Sequence, residues 1–467
     1  MFSMVFIIIF LFFAFLSFRN VKYGILFIII ATPFNLLIKV LLEMSLFSQI
    51  WHNLFILLLC FFILARSSVD GKYGIKINKI DVIFIVVFLF GILQVLYNYL
   101  ISNSFYVSFQ GFRTHYYGIL LYFITRFSIK GPKDIKSMSI GIMSVILIAS
   151  LELIIEFVFG SLGFITPANI VWIGGILEAY SEMYGSSSAY AMFPGLSSIR
   201  PVGIFFSIQY SAALILIGTL IGLPFWADKN LKHSHVHESL FFFKTPLFFI
   251  TVIALLLSTA RTIIFAFLIA SFCMFIKYRM SAKKIIVVLL STFFVLAITG
   301  VGIYLIKPLS GQDTHIQDTM SFLNSIPILF SKMTISSFFL GLGFNADPYA
   351  KNIIGVNTLY DEIFRDVAMG AEGIFKFFLN VGLSGAVLFI FQNILVFKRG
   401  VLLARNDIPS FFRNILLGLS FVIVGLCLSS VHVMPLEAAG IQYIYYVVVA
   451  IISSFSIEWF KATKVNK

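Results

Sequence analysis

The chain has 467 residues, 60% of them hydrophobic and only 11% charged, and its mean hydropathy is +1.02. That balance excludes an ordinary soluble domain, which is about half apolar and about a quarter charged, and the recurring apolar runs lack the short alternation of a membrane barrel. The net charge of +13 would suit a nucleic-acid surface, but most of the 33 lysines and arginines fall in short links between apolar runs, which excludes that reading and marks a membrane topology.

Runs of roughly 20 apolar residues must close their own backbone hydrogen bonds in lipid, so each is predicted to be a helix. In chain order, spans are predicted at 2–18, 23–42, 51–65, 80–101, 116–127, 139–160 and 203–225. They continue at 246–260, 262–276, 285–305, 373–397, 414–434 and 440–457. The first span has no cation before it and Arg19 and Lys22 after it, the reverse of a cleaved leader, so it is expected to be retained. Cys60, Cys273 and Cys427 all lie in apolar runs, and no disulfide framework is expected. The pattern predicts an all-α polytopic membrane protein of about 12–13 transmembrane helices. N-terminal helices occupy 1–160, a loop 161–202, central helices 203–305, a large loop 306–372, and C-terminal helices with a polar tail 373–467.

Charge orients these spans. Alternate links carry Arg19 and Lys22, then Arg66 and Lys79, Arg126 and Lys130, Lys229 and Lys244, Lys277 and Lys284, Arg399 and Arg413, and the terminal lysines. The positive-inside rule puts these links in the cytoplasm and predicts a multi-pass inner-membrane protein. The opposite face then holds the links over 102–115, 161–202 and 306–372, and the two long ones are too rich in Phe, Ile, Trp and Tyr to be disordered. In the last of them Tyr360, Ile363, Phe364 and Val367 recur at helical spacing, with Asp361, Glu362, Arg365 and Asp366 on the other side. A short amphipathic helix is expected there, lying on the membrane or capping a cavity. No internal repeat of the kind seen in many transporters is evident.

Nine cations lie outside the basic links: Lys39, Arg113, Arg200, Arg261, Lys307, Lys332, Lys351, Arg365 and Lys376. Arg261 interrupts an apolar stretch in Leu257-Ser258-Thr259-Ala260-Arg261-Thr262. A guanidinium there either faces a wet cavity or a partner, or snorkels from a tight hairpin to the headgroups. Arg200 precedes Pro201 and Gly203 where the chain re-enters the bilayer, with Pro suited to a first helical turn and Gly to close approach, and an interfacial anchor is the other reading. Glu152 and Glu156 are one turn apart within a span, where carboxylates either hold a cation in place or couple protons. His233, His235 and His237 alternate in a basic link and read as a solvated segment, and Lys39 and Glu43 are spaced as an interfacial pair. No phosphate-binding loop, CxxC pair or dinucleotide fingerprint is present, so no cofactor and no metal are expected.

Four elements recur in a fixed order: Arg200 to Phe205 entering a span, Thr259 to Arg261 in a turn, Leu340-Gly341-Leu342-Gly343 in the large loop, and Gly382-Leu383-Ser384-Gly385 in the span that follows. With these the chain resembles the bacterial O-antigen polymerase and O-antigen ligase superfamily over roughly 199–385. The resemblance implies a glycosyltransferase that takes a glycan from undecaprenyl pyrophosphate to a sugar hydroxyl at the periplasmic face, without metal or nucleic acid. It implies membrane lipids and a chain-length regulator as further partners. Arg200 and Arg261 would grip the departing pyrophosphate, since a planar guanidinium binds phosphate oxygens in pairs, and Arg113 would assist. Gly203, Gly341, Gly343 and Tyr360 would line the substrate site, and Glu156 would support an arginine. The ligase branch carries a histidine near the end of the large loop, whereas Val367 to Gly373 has none, which favours the polymerase branch. Glu372 is then the candidate base, its other reading being an acid favoured at a helix N-terminus. The expected function is O-antigen polymerase; the alternatives are transfer of finished polymer to the lipid A core, or a repeat-unit flippase.

Overall fold

The structure, a computed structural model, describes residues 2–35, 38–39, 42, 46–70, 77–102, 105–161, 204–205, 208–228, 246–258, 260–278, 334–341, 374–430 and 434–460. Among these residues there is no strand. The described helices, numbered in chain order, begin with α1 (Phe2–Arg19), α2 (Val21–Ala31, extended by a 3-10 turn Thr32–Phe34), α3 (Leu46–Asp70) and α4 (Lys79–Ser102). Next come α5 (Phe105–His115), α6 (Gly118–Ser128), α7 (Pro132–Ser161), α8 (Ile208–Ala227), α9 (Pro246–Leu257) and α10 (Arg261–Tyr278). The last are α11 (Ile335–Leu340), α12 (Ile374–Ala404), α13 (Ser410–Ser429) and α14 (Ala439–Ser454). Five of them, α4, α7, α8, α12 and α13, are long and apolar enough to cross a membrane, and seven shorter apolar helices accompany them. The chain is thus an all-α protein with the helices of a multi-pass membrane protein.

Burial follows composition. Every residue of α14 from Gly440 to Ser454 is buried, as expected of a helix apolar on all sides, and α14 packs on α6, α12, α13 and α2. Beside it α8 packs closely on α13. Gly418 allows this, because a Cβ there would stand 2.6 Å from Ile221 Cα and 3.1 Å from the Leu220 carbonyl oxygen, the use membrane helices make of small residues at an interface. At the periphery α1 turns Ile8, Leu11, Phe12 and Phe15 outward. Its other side is aromatic: Phe10 meets Phe55 edge-on at 5.1 Å, and Phe13 stacks on Phe27 at 4.6 Å.

The basic links meet at one end of the bundle. Lys22 pairs with Asp134 at 3.1 Å, Arg126 with Asp81 at 3.4 Å and Arg413 with Asp228 at 3.3 Å, while Arg66 donates to the Phe18 and Arg19 carbonyls. Asn78 caps α4 by accepting from the Ile80 and Asp81 amides, and Asp81 accepts in return from the Asn78 amide at 2.8 Å, a reciprocal box that satisfies the orphan donors of a helix start. Arg399 donates to the Ile452, Ser453 and Phe455 carbonyls. Those are the unpaired acceptors at the C-terminus of α14, where a cation also suits the helix dipole.

Two features depart from the sequence expectations. The stretch over 102–115, expected as a link, contains the helix α5, which folds back against α4. Phe105, Phe109 and Phe112 stack in sequence at 5.9 and 6.1 Å, so a stripe at spacings of four and three carries this helix despite its polar remainder. The second is α12, which is broken at Gly382, where φ is 70° and ψ is 178°. The span expected at 285–305, nearly all of the loop over 161–202, and the amphipathic helix expected around 360–367 lie outside the described residues.

Candidate functional site

The end opposite the basic links is organised around the break in α12. Thr334 caps the short α11, its hydroxyl accepting from the Ser337 amide at 3.2 Å. The helix stops at Gly341, whose φ of 78° suits glycine alone. Gly341 then lies directly against the break. A Cβ on Gly341 would stand 2.4 Å from the Asn380 carbonyl oxygen, and one on Gly382 would stand 2.4 Å from both the Gly341 nitrogen and the Phe339 carbonyl oxygen. Main chain therefore meets main chain with no side chain between. A helix broken within a membrane leaves backbone carbonyls that need partners. Gln94 of α4 provides one for each strand of the contact, its Nε2 donating at 2.6 Å to the Leu340 and the Asn380 carbonyls. Phe338 and Phe378 close the contact edge-on at 5.8 Å.

Beside this clasp lies a small cavity of about 20 Å³, room for about one water, whose lining includes Thr114, His115, Phe377, Gln392, Gln442 and Tyr446. Its walls are tied: Gln442 donates to the Thr114 carbonyl at 2.5 Å and Tyr446 to the His115 carbonyl at 3.4 Å, joining α5 to α14. The His115 ring meets Phe377 at 5.7 Å. Gln392 Oε1 and Asn380 Oδ1 are buried acceptors with no hydrogen-bond partner among the described residues. Buried acceptors of this kind in a native fold call for a ligand or water.

Arg113, one residue before this lining, is half-buried near the C-terminus of α5. Its charge acts on Tyr443 and, together with Lys39, on the His52 imidazole. Lys39, His52 and Arg113 come from three separate segments of the chain. Trp51, beside His52, is fully buried and donates to Asn35 Oδ1 at 2.9 Å, the partner a buried indole needs.

Arg261 is the first residue of α10, and no acidic residue accompanies it in the first turn; its side chain lies outside the described residues. Arg200, Gly203, Gly343, Tyr360 and Glu372 also lie outside them. Glu156 is half-buried on α7, one turn from Glu152. The Ile204 backbone lies near the Glu152 carboxylate, whose Oε2 is buried with no hydrogen-bond partner among the described residues, and the charge of Glu156 acts on it. The pair thus stands beside the segment that directly follows Arg200 to Gly203. Of the resemblance elements, the structure brings Gly341 and Gly382 together and accounts for both glycines by close approach.

Two residues of this end, Gln94 and His52, are not among the sequence candidates, and Lys39 is there only as half of an interfacial pair. Gln94 and His52 are polar residues inside apolar runs, a signal visible in the sequence, whereas Lys39 had been matched with Glu43, which lies outside the described residues. Among the described residues no three His, Cys, Asp or Glu side chains gather as a metal site would need. No family model matches the chain, and no curated protein matches it.

Proposed function

We propose that the protein is an O-antigen polymerase, joining undecaprenyl-pyrophosphate-linked oligosaccharide repeats at the periplasmic face of a bacterial inner membrane. The observation that carries this reading is the clasp between Gly341 and Gly382. Two of the four elements on which the resemblance rests meet through bare main chain at Gly341 and Gly382, 41 positions apart in sequence. Glycines with that contact have a reason to be fixed, and their common position lies at the end of the bundle away from the basic links. The positive-inside rule supports reading that end as extracytoplasmic.

The chemistry asked of such a site is modest. A hydroxyl of the acceptor sugar attacks the anomeric carbon of the donor glycan; the bond from that carbon to the diphosphate oxygen breaks, and its electron pair leaves with the diphosphate. The hydroxyl proton passes to a carboxylate, for which Glu372 is the candidate. A diphosphate departs without a general acid, so catalysis rests on stabilising the charge it gains, and fixed guanidinium groups in a site of low dielectric do this well. The position of Arg261 fits that task. At the first residue of α10 a cation opposes the helix dipole, so it adds nothing to helix stability, but it stands beside amides that also favour an anion.

The test is genetic. The gene is deleted in a strain with long-chain lipopolysaccharide, and the gel ladder is read. A single repeat on the core supports a polymerase, whereas complete loss of O-antigen points to a ligase or a flippase.

A further inference from the structure

We infer that one ordered water molecule is held in the cavity between α4, α5, α12 and α14, and that it ties the part of α12 beyond the break at Gly382 to the other walls of the candidate site. The cavity has the room. A water needs about 10–15 Å³ of free space and two to four polar partners, and the cavity provides about 20 Å³.

Two buried polar atoms supply the partners. Tyr116 is 4% exposed and Gln392 0% exposed, and both line the cavity. Neither the Tyr116 hydroxyl nor Gln392 Oε1 has a hydrogen-bond partner among the described residues, although buried groups of this kind are ordinarily paired. The two are complementary, since a phenol has a proton to give and an amide oxygen only accepts. A water between them accepts from Tyr116 and donates to Gln392. The neighbouring network fixes which way the Gln392 amide faces. The Tyr445 hydroxyl donates to Asn393 Oδ1 at 2.6 Å, so towards Gln392 it only accepts, and Gln392 Nε2 donates to it at 3.5 Å. Oε1 is therefore the open end of the amide. The Tyr446 hydroxyl, whose proton goes to the His115 carbonyl, keeps lone pairs for the second hydrogen of the water. The Tyr116 ring is fixed in turn by close packing on α4, where a Cβ on Gly91 would stand 2.5 Å from its Cγ.

Lining and size together select water. No Asp, Glu, Lys or Arg is among the described residues that line the cavity, so nothing there balances the charge of an ion, and the volume admits no larger neutral molecule. A bridging water is nearly as favourable in enthalpy as a direct hydrogen bond. It matters most here because the helical backbone of α12 is interrupted at Gly382, and side-chain ties must hold the part that follows. The site rests on this geometry and stands whether or not the protein makes polymer.

X-ray hydroxyl-radical footprinting of the full-length protein in nanodiscs tests this, because radicals formed from a bound water oxidise the side chains that touch it. Met434 is 3% exposed and lines the cavity, whereas Met138 and Met143 on α7 are 0% and 2% exposed and do not line it. Met434 is expected to be oxidised at least fivefold faster than either. Tyr116→Phe and Gln392→Leu each remove one partner of the water, and each is expected to slow Met434 oxidation at least threefold while leaving Met138 and Met143 unchanged. Melting curves show that the variants are folded. Met434 oxidised no faster than the two buried controls would overturn the proposal in the wild type alone, whatever becomes of the variants. Rapid oxidation of Met434 that is equal in wild type and both variants would overturn it as well, since the radicals would then come from bulk water.

Discussion

Gly341 and Gly382 each occupy the space in which the other would need a side chain. Both have positive φ, 78° and 70°, and each blocks a Cβ on its partner, at 2.5 Å on Gly341 and 2.4 Å on Gly382, through backbone atoms that cannot rotate away. Alanine at either position therefore meets about 1–3 kcal/mol of backbone strain before any overlap is counted. Gly341→Ala and Gly382→Ala are expected to lower the melting temperature in detergent by several degrees and to abolish activity. Gly131→Ala, where a Cβ meets nothing within 4 Å, is the neutral control; clasp variants that melt like it would refute the contact.

Gln94 predicts an ordered pair of effects. Gln94→Leu removes the donor to two carbonyls at once, and each buried acceptor left unpaired costs about 1–3 kcal/mol. Gln94→Glu replaces the donor with an acceptor facing the same carbonyls and is expected to be worse than leucine. Equal melting of the two variants would contradict the assigned hydrogen bonds.

At the other end, Asp81 and Asp134 separate buried from exposed pairing. The Asp81 side chain is 2% exposed against 18% for Arg126, and Asp81 also accepts from Tyr122 at 2.5 Å and from the Asn78 amide. Removing one member of such a buried pair costs about 3–5 kcal/mol. Lys22 and Asp134 are 21% and 22% exposed, and pairs of that kind contribute about 0–1 kcal/mol. Asp81→Ala should thus cut folded yield sharply while Asp134→Ala leaves it nearly intact, as fluorescence size-exclusion profiles would show.

Sidedness can be read with single cysteines in a background where Cys60, Cys273 and Cys427 are alanine. Cysteine at Thr334, next to the clasp, is expected to react with a membrane-impermeant maleimide in intact spheroplasts, and cysteine at Asn406, in the basic link, only after lysis. Both positions are exposed. The reverse pattern would place the clasp in the cytosol and end the enzymatic reading.

The helices were legible because hydropathy is a sum over many residues, and lipid enforces helix wherever that sum is high. The spans around 80–101, 139–160 and 414–434 recur as α4, α7 and α13, although α7 begins at Pro132 and α13 ends at Ser429. What the sequence hid depends on single atoms. Window hydropathy passed over α5 because Gln110, Arg113 and His115 dilute its Phe stripe. The break in α12 falls in the Gly382-Leu383-Ser384-Gly385 element, but nothing in that run of residues shows a backbone turned to positive φ.

The most direct measurement is polymerisation by the purified protein in liposomes loaded with an undecaprenyl-diphosphate-linked repeat unit. Wild type is expected to release undecaprenyl diphosphate and build a ladder of multimers. Arg200→Lys and Arg261→Lys, which keep the charge and lose the paired geometry, are expected to fall about 100-fold or more, on the scale of losing a transition-state charge contact. A wild-type protein that leaves the monomeric donor unchanged, or lysine variants that both polymerise at the full rate, would contradict the account.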